Sequence, residues 1–290
     1  MKQKDIVEKT LEAYNDVFAD IVNVLLFNGE QVVKEDELET EENVSMFKVD
    51  DKLHEQQRDV TKVWKNNNIR ISIIGFENQT KIDNDMPFRV ISYDGASYKK
   101  QLLNIKDKRR YPVITMVLYF GEKRWIKPSS IFDRITFPKE LEPFINDYKI
   151  NVFEIAWLDD KTIEKFKSDF KIVAKFFQRK RLDKDYVDSD DVIYHVDETL
   201  KMLSVLTGDN SFEIVYNEEN KPIGGVSMCE FIQKLRDEGR NEGLLVGRNE
   251  GKKEAKTETA KKMISIGLPI ETIMSVTDFS REEIEKIRSV

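Results

Sequence analysis

The chain has 290 residues, 40% hydrophobic and 35% charged, which is enough apolar material for one sizeable core and too much charge for a fibrous protein. No run reaches the roughly 18 apolar residues that would span a bilayer, and Met1 to Lys9 is charged where a secretory leader would be apolar, so a cytoplasmic setting is expected. A formal net charge of −7 argues against coating nucleic acid by bulk electrostatics, and one cysteine, Cys229, with two histidines, His54 and His195, excludes an intrachain disulfide and a zinc cluster of Cys and His ligands.

Residues 5–27 set Ile6, Tyr14, Val17, Phe18, Ile21, Val24, Leu25 and Phe27 at helical spacing, and Asn28-Gly29 supplies a stop. After an acidic, loop-like stretch from Lys34 to Asn43, residues 58–65 and 69–77 read as two strands of a hairpin turning at Asn66-Asn67-Asn68. Met86 to Gln101 is helical, entered through Pro87. Tyr111 to Phe120 is a buried strand closed by Gly121, Val152 to Leu158 is another, and residues 161–181 return to helical spacing. The order of elements predicts a mixed α/β core. Two basic runs, Lys106, Lys108, Arg109 and Arg110, then Lys175, Arg179, Lys180 and Arg181, read either as solvated faces or as phosphate contacts.

Past Phe231 the composition changes, which places the core domain at 1–232, a glycine-repeat segment at 233–256 and a small helical unit at 257–290. Gly239, Gly243, Gly247 and Gly251 recur at every fourth position of a charged helix, either as a weakened linker or as a close-approach face for a second copy, giving a homodimer. In the last unit Pro269 starts one short helix, and Ser280 with Glu283 forms a capping box for the next. This helix-turn-helix outline ends in a helix that mixes Glu282, Glu283 and Glu285 with Arg281, Lys286 and Arg288, a poor composition for reading a major groove.

The hairpin carries the candidate chemistry. Strand side chains alternate, so Gly75, Glu77 and Gln79 share a face, and pairing Lys65 with Ile69 would set Asp59 opposite Gly75 and diagonal to Glu77. Gly75 would then leave volume for a cation and its waters. Two carboxylates without a dedicated cage suit Mg2+, with Mn2+ as a substitute, whose coordination is completed by water and substrate phosphate. Phosphodiester hydrolysis is the chemistry such a site supports, on either DNA or RNA. The alternative is a strand-end pair satisfied by Arg58, Arg70 or backbone amides. Lys62 points to the opposite face.

The ordered set Arg58-Asp59-Val60, Gly75-Phe76-Glu77-Asn78-Gln79-Thr80, Met86-Pro87-Phe88-Arg89, Tyr93 and Pro112 to Gly121, with the glycine-repeat tail, resembles the recombination-promoting nuclease/putative transposase family of the PD-(D/E)XK superfamily. That resemblance covers nearly the whole chain. It implies a restriction-endonuclease-like core, divalent-metal cleavage of DNA, and a role in recombination or mobile elements. By position it makes Asp59 the first motif acid, Glu77 the second, and Gln79 the occupant of the lysine position. Glutamine orients water through its amide but supplies no positive charge. Family members often add an acid from the first helix, for which Asp20 is the candidate, one turn from Asp16. The rival reading is a catalytically silent DNA-binding or assembly protein that keeps the nuclease fold.

Overall fold

The structure is a computed structural model and describes residues 11–41, 44–49, 52–66, 69–105, 107–183, 191–214 and 226–288. Two compact units form, Met1–Ile232 and Gln233–Val290. The first is built on a five-stranded mixed sheet of β1 (Leu38–Thr40), β4 (Val60–Asn66), β5 (Ile69–Gln79), β6 (Val113–Tyr119) and β7 (Asn151–Glu154), adjacent in that order. Between β1 and β4 the chain makes a separate hairpin of β2 (Val44–Val49) and β3 (Lys52–Gln57). The β1–β4 and β4–β5 pairs are antiparallel, while β5–β6 and β6–β7 are parallel. A parallel pair needs a crossover, and helix α2 (Met86–Leu103) supplies the one from β5 to β6. β6 is apolar at almost every position because both of its faces are covered.

Helices α1 (Asn15–Phe27) and α3 (Phe170–Arg181) cover one face of the sheet: Phe18 stacks on Phe76 with centroids 4.3 Å apart, and Phe120 meets Phe177 at 5.1 Å. On the other face Met86 and Val90 of α2 pack with Val117, Tyr119, Trp125 and Ile150. Since neighbours on a strand point to opposite faces, Glu77 lies on the α2 side with its register partner Val117, and Phe76 on the α1 side.

The mixed α/β core forms as expected, and two of its predicted helices are interrupted. For the first, residues 5–10 lie outside the described residues; within them the helix breaks at Ala13-Tyr14. There the buried Lys62 ammonium donates to Ala13 O and Asn15 Oδ1, each at 2.7 Å, which takes Ala13's carbonyl out of the helical ladder. The helix expected over 161–181 is a turn at Asp160–Ile163 followed by α3, with α4 (Val196–Thr207) further along the chain. In the break the amides of Lys167 and Ser168 donate to Asp20 Oδ2, at 2.8 and 2.7 Å. Periodicity is blind to such distant acceptors. The stop at Asn28-Gly29 does form, with both residues at positive φ, 55° and 93°.

The hairpin register differs from the expected one by two residues. Asn66, rather than Lys65, pairs with Ile69, and a register shift between Trp64 and Lys65 adds a second offset, so that Val60 faces Phe76. Each offset alone would reverse the parity of the ladder; together they restore it, and Asp59 lies just ahead of β4 with its amide on Phe76 O at 3.2 Å.

In the second unit helix α5 (Met228–Ser265), which begins in the first, runs to a glycine stop at Gly267 with φ +77°. Its end packs with α6 (Ile270–Thr277) and α7 (Arg281–Arg288) around Ala260, Ile273 and Ile284. The expected capping box is present: Ser280 N–H donates to Glu283 Oε2 at 2.8 Å and Glu283 N–H to Ser280 Oγ at 3.3 Å. Among the described residues, a methyl group added at Gly247 or Gly251 would meet no atom within 4 Å beyond the chain neighbours and the helix's own backbone. Among the described residues no helix is long and apolar enough to cross a membrane.

The space over Gly75 is not an open volume for a cation, because the Arg58 side chain crosses β5 there: a Cβ on Gly75 would lie 2.4 Å from Arg58 Cδ. Arg58 is tied down by the contacts described below, so it cannot simply swing away. Gly75→Ala should therefore destabilise the protein by about 1–3 kcal/mol, the usual cost of overpacking a tight site, measured as a lower denaturant midpoint at unchanged slope.

Candidate active site

Everything at this site starts from Arg58, just ahead of β4. Its side chain, 2% exposed, passes over Gly75 and donates through Nε to Thr115 Oγ1 (2.9 Å), through NH1 to Ser97 Oγ (3.1 Å) and through NH2 to Asp94 Oδ1 (2.5 Å). Asp94, on α2, also accepts from Thr115 Oγ1 (2.6 Å) and Tyr148 OH (2.5 Å). Burial first, then the bond to Asp94, holds the Tyr148 phenol well above its ordinary pKa, so it stays a donor.

Arg58 fixes the backbone of its neighbour Asp59, whose amide donates to Phe76 O at 3.2 Å and whose Oδ2 accepts from Asn78 N–H at 2.7 Å. Glu77 lies beside it on β5, only 2% exposed, in an ion pair with Arg89 of α2. A second Arg89 nitrogen holds Asp83 at 2.9 Å, and Tyr93 OH accepts from Arg89 Nε and NH2 at 3.3 and 3.1 Å. Burial alone would lower the pKa of Arg89; Glu77, then Tyr93 and Asp83, more than reverse this and hold the guanidinium firmly charged. Gln79 Nε2 lies 3.5 Å from Glu77 Oε1, at the limit of a hydrogen bond. The Tyr93 phenol is pushed up to about 12 by burial and then by the negative charges of Glu77 and, more weakly, Asp59, with Arg89 opposing. That both carboxylates act on one phenol places the two acids and the tyrosine in a common field.

Asp59, Glu77 and Gln79 are thus brought together at the C-terminal end of β5. Asp20 is not. It lies on α1, across the sheet from Glu77, where its Oδ2 serves the amides of Lys167 and Ser168, and Asp16 pairs with His195 Nε2 at 3.1 Å. The acid from the first segment that does reach the end of β5 is Glu12, fully buried, which accepts from Asn78 Nδ2 at 2.8 Å. Asn78 therefore links Glu12 to Asp59, one through its side chain and the other through its backbone. Lys62 is on the α1 side as expected, and burial lowers its pKa.

Sequence reasoning missed the roles of Arg58, Asp94, Thr115 and Tyr148, and did not assign Arg89 or Tyr93 a function. One signal was available: Arg89, Tyr93 and Ser97 recur at four-residue spacing beside Asp94, a polar stripe on the face of α2 that also presents Met86 and Val90 to the sheet.

The donor set suits a hard cation, since both acids supply oxygen, and Arg89 now holds one of those oxygens as its ion-pair partner. Among the described residues no three Asp, Glu, His or Cys side chains cluster closely enough to hold a metal by themselves, so an ion bound here would draw its other ligands from water and substrate. A family model described as putative transposase, YhgA-like, matches residues 9–206, which includes every residue of this site. No curated protein and no solved structure matches the chain.

Tyr93 gives the site a measurable pH signature. Its folded pKa, about 12, lies above the unfolded value of 10.0, so its contribution to stability is complete below pH 10 and is lost as pH rises towards 12. Tyr93→Phe should lose less stability than wild type across that window, as followed by urea midpoints. Identical alkaline profiles for the two proteins would contradict the shared field of Glu77, Asp59 and Tyr93.

Proposed function

The chain belongs to the YhgA-like putative transposase family, and from that premise we propose that it is a divalent-metal-dependent endonuclease that hydrolyses DNA phosphodiester bonds in recombination or mobile-element transfer. The observation that carries the reading is the convergence of Asp59 and Glu77 at the end of β5, on the side of the sheet that carries Arg89 and Tyr93. Asp59 and Glu77 would hold Mg2+ or Mn2+. Held there, it would supply positive charge to a phosphoryl oxygen and to the leaving oxygen.

The protein's own residues account for the remaining work. Asp59 is held by the Asn78 amide, so one carboxylate oxygen is fixed while the group stays within reach of solvent. Gln79, on the face of Glu77, orients the attacking water through its amide without adding charge to it. The lack of a lysine there makes hydrolysis slow compared with a site that stabilises the developing negative charge directly. Arg89 is seated on Glu77, and it offers a fork matched to phosphate oxygens.

A catalytically silent protein that binds DNA or assembles on it is the second reading, favoured by the same two features: Gln79 in place of a charged residue and Arg89 on Glu77. Metal titration separates the readings, since a silent scaffold has no need to bind Mn2+ through Asp59 and Glu77. We extend the proposal to assembly. Four glycines in α5 would cost roughly 1 kcal/mol each relative to alanine in an isolated helix, and at Gly247 and Gly251 no side chain among the described residues beyond their chain neighbours fills the space they leave. A second copy packed on this face, giving a homodimer, would recover that cost and set two cores on the two strands of a duplex.

Glu77→Gln and Asp59→Asn should each abolish metal-dependent nicking of supercoiled plasmid, while Gln79→Lys should equal or exceed wild type if charge at the nucleophile is limiting. A folded Glu77→Gln protein that nicks normally removes the mechanism. Replacing Gly243 and Gly247 with Leu should shift sedimentation towards monomer and reduce double-strand cutting more than nicking; a wild type that is monomeric at every concentration ends the dimer reading.

A further inference from the structure

Arg89 divides its guanidinium between two acids of unequal burial, Glu77 at 2% side-chain exposure and Asp83 at 29%, and is itself 38% exposed. We infer that Arg89 and a divalent cation are alternative occupants of Glu77, so that Arg89 guards the site without metal and is released towards Asp83 when metal enters. The inference rests on Asp59 and Glu77 being metal ligands, and adds to that reading a step that regulates it.

A carboxylate as buried as Glu77 is costly without a positive neighbour, and Arg89 supplies that charge. A guanidinium has no lone pair to offer a metal, and a cation on either oxygen of Glu77 would lie within a few ångströms of the Arg89 charge on Oε1; in a site of low dielectric that repulsion drives the Arg89 nitrogen off Glu77 as metal enters. The side chain has somewhere to go. Asp83 holds NH1 at 2.9 Å, and Tyr93 OH accepts from Nε as well as NH2, so both partners remain when the contact to Glu77 is broken. The freed fork then has donors available for two phosphate oxygens of the strand being cut, which binds bidentately to such a group. Metal-free protein is held closed by its own arginine, and phosphate binding and metal binding become linked through one side chain.

The test is an Mn2+ titration of the full-length protein, read by the electron paramagnetic resonance of free Mn2+, on wild type, Arg89→Met, Arg89→Lys and Glu77→Ala, with thermal melts of each with and without Mn2+. Arg89→Met should bind Mn2+ about tenfold more tightly, within the usual range of coupling between competing ligands, and should gain more melting temperature from Mn2+ than wild type. Its plasmid nicking at saturating Mn2+ should nevertheless fall about 100-fold, as when one donor to a developing charge is lost. Arg89→Lys should lie between in both measurements and serves if the Met variant does not fold. An arginine that only braces the fold would lower the melting temperature without tightening Mn2+. Equal or weaker Mn2+ binding by a folded Arg89 variant, with wild-type binding that Glu77→Ala abolishes, overturns the exclusion and leaves the nuclease reading intact. Binding that Glu77→Ala leaves unchanged, or no binding in any variant, overturns both.

Discussion

Arg58 and Asp94 meet in the interior of the protein, at 2% and 5% side-chain exposure, and the geometry of the candidate site follows from how they are held. Removing both charges from water costs several kcal/mol per ion, which the pair's attraction offsets only when the remaining donors and acceptors are also satisfied. Here Thr115, Ser97 and Tyr148 complete the hydrogen bonds. The pair joins three parts of the fold at once: the start of β4, the middle of α2 and the centre of β6. Asp59 follows Arg58 directly, so the position of its carboxylate is set by a neighbour that has no freedom to move.

The same helix serves two arginines in opposite ways. Arg58 comes from the sheet side and is locked on Asp94 of α2, while Arg89 leaves α2 and reaches Glu77 on the sheet. Tyr93 lies between them, 5.7 Å from the guanidinium of Arg58 and 6.0 Å from that of Arg89, measured to the ring centroid. One pair is sealed and structural. The other is half open, and its arginine has a second acid within reach. A site that must be rigid and yet admit a ligand needs both kinds of contact close together.

The buried strand that becomes β6, the hairpin and the face shared by Asp59, Glu77 and Gln79 were legible in the sequence, because strand parity survives an error of two residues in register. The β2–β3 hairpin was not, since β3, Lys-Leu-His-Glu-Gln-Gln, has no apolar alternation to betray a strand. β1 has only three residues, inside an acidic stretch. The buried network escaped for a different reason. Arg58 finds its partners 36, 39 and 57 residues away, and no local pattern encodes such distances. Asp20 was a reasonable choice from helical spacing alone, but its carboxylate is occupied by two amides in a loop 147 and 148 residues on, while Glu12, outside α1, reaches Asn78.

The register shift in the β4–β5 hairpin makes the length of this segment as informative as its composition. The tighter pairing at Asn66 and the irregularity at Trp64 and Lys65 each displace the β4–β5 ladder by one, and two odd steps make an even one, so that the ladder delivers Val60 opposite Phe76 and Asp59 just ahead of it. The hairpin acts as a ruler read in units of two. A single residue inserted or deleted within the paired strands, and absorbed neither in the turn nor as a further bulge, would turn the Asp59 end of β4 away from Glu77 while leaving every side chain of the site chemically intact, whereas a paired change would only slide it along the strand. Lineages of this fold can therefore be expected to vary the paired strands by even counts and the turn freely, and a member with an uncompensated odd difference would have lost its carboxylate pair without losing either carboxylate.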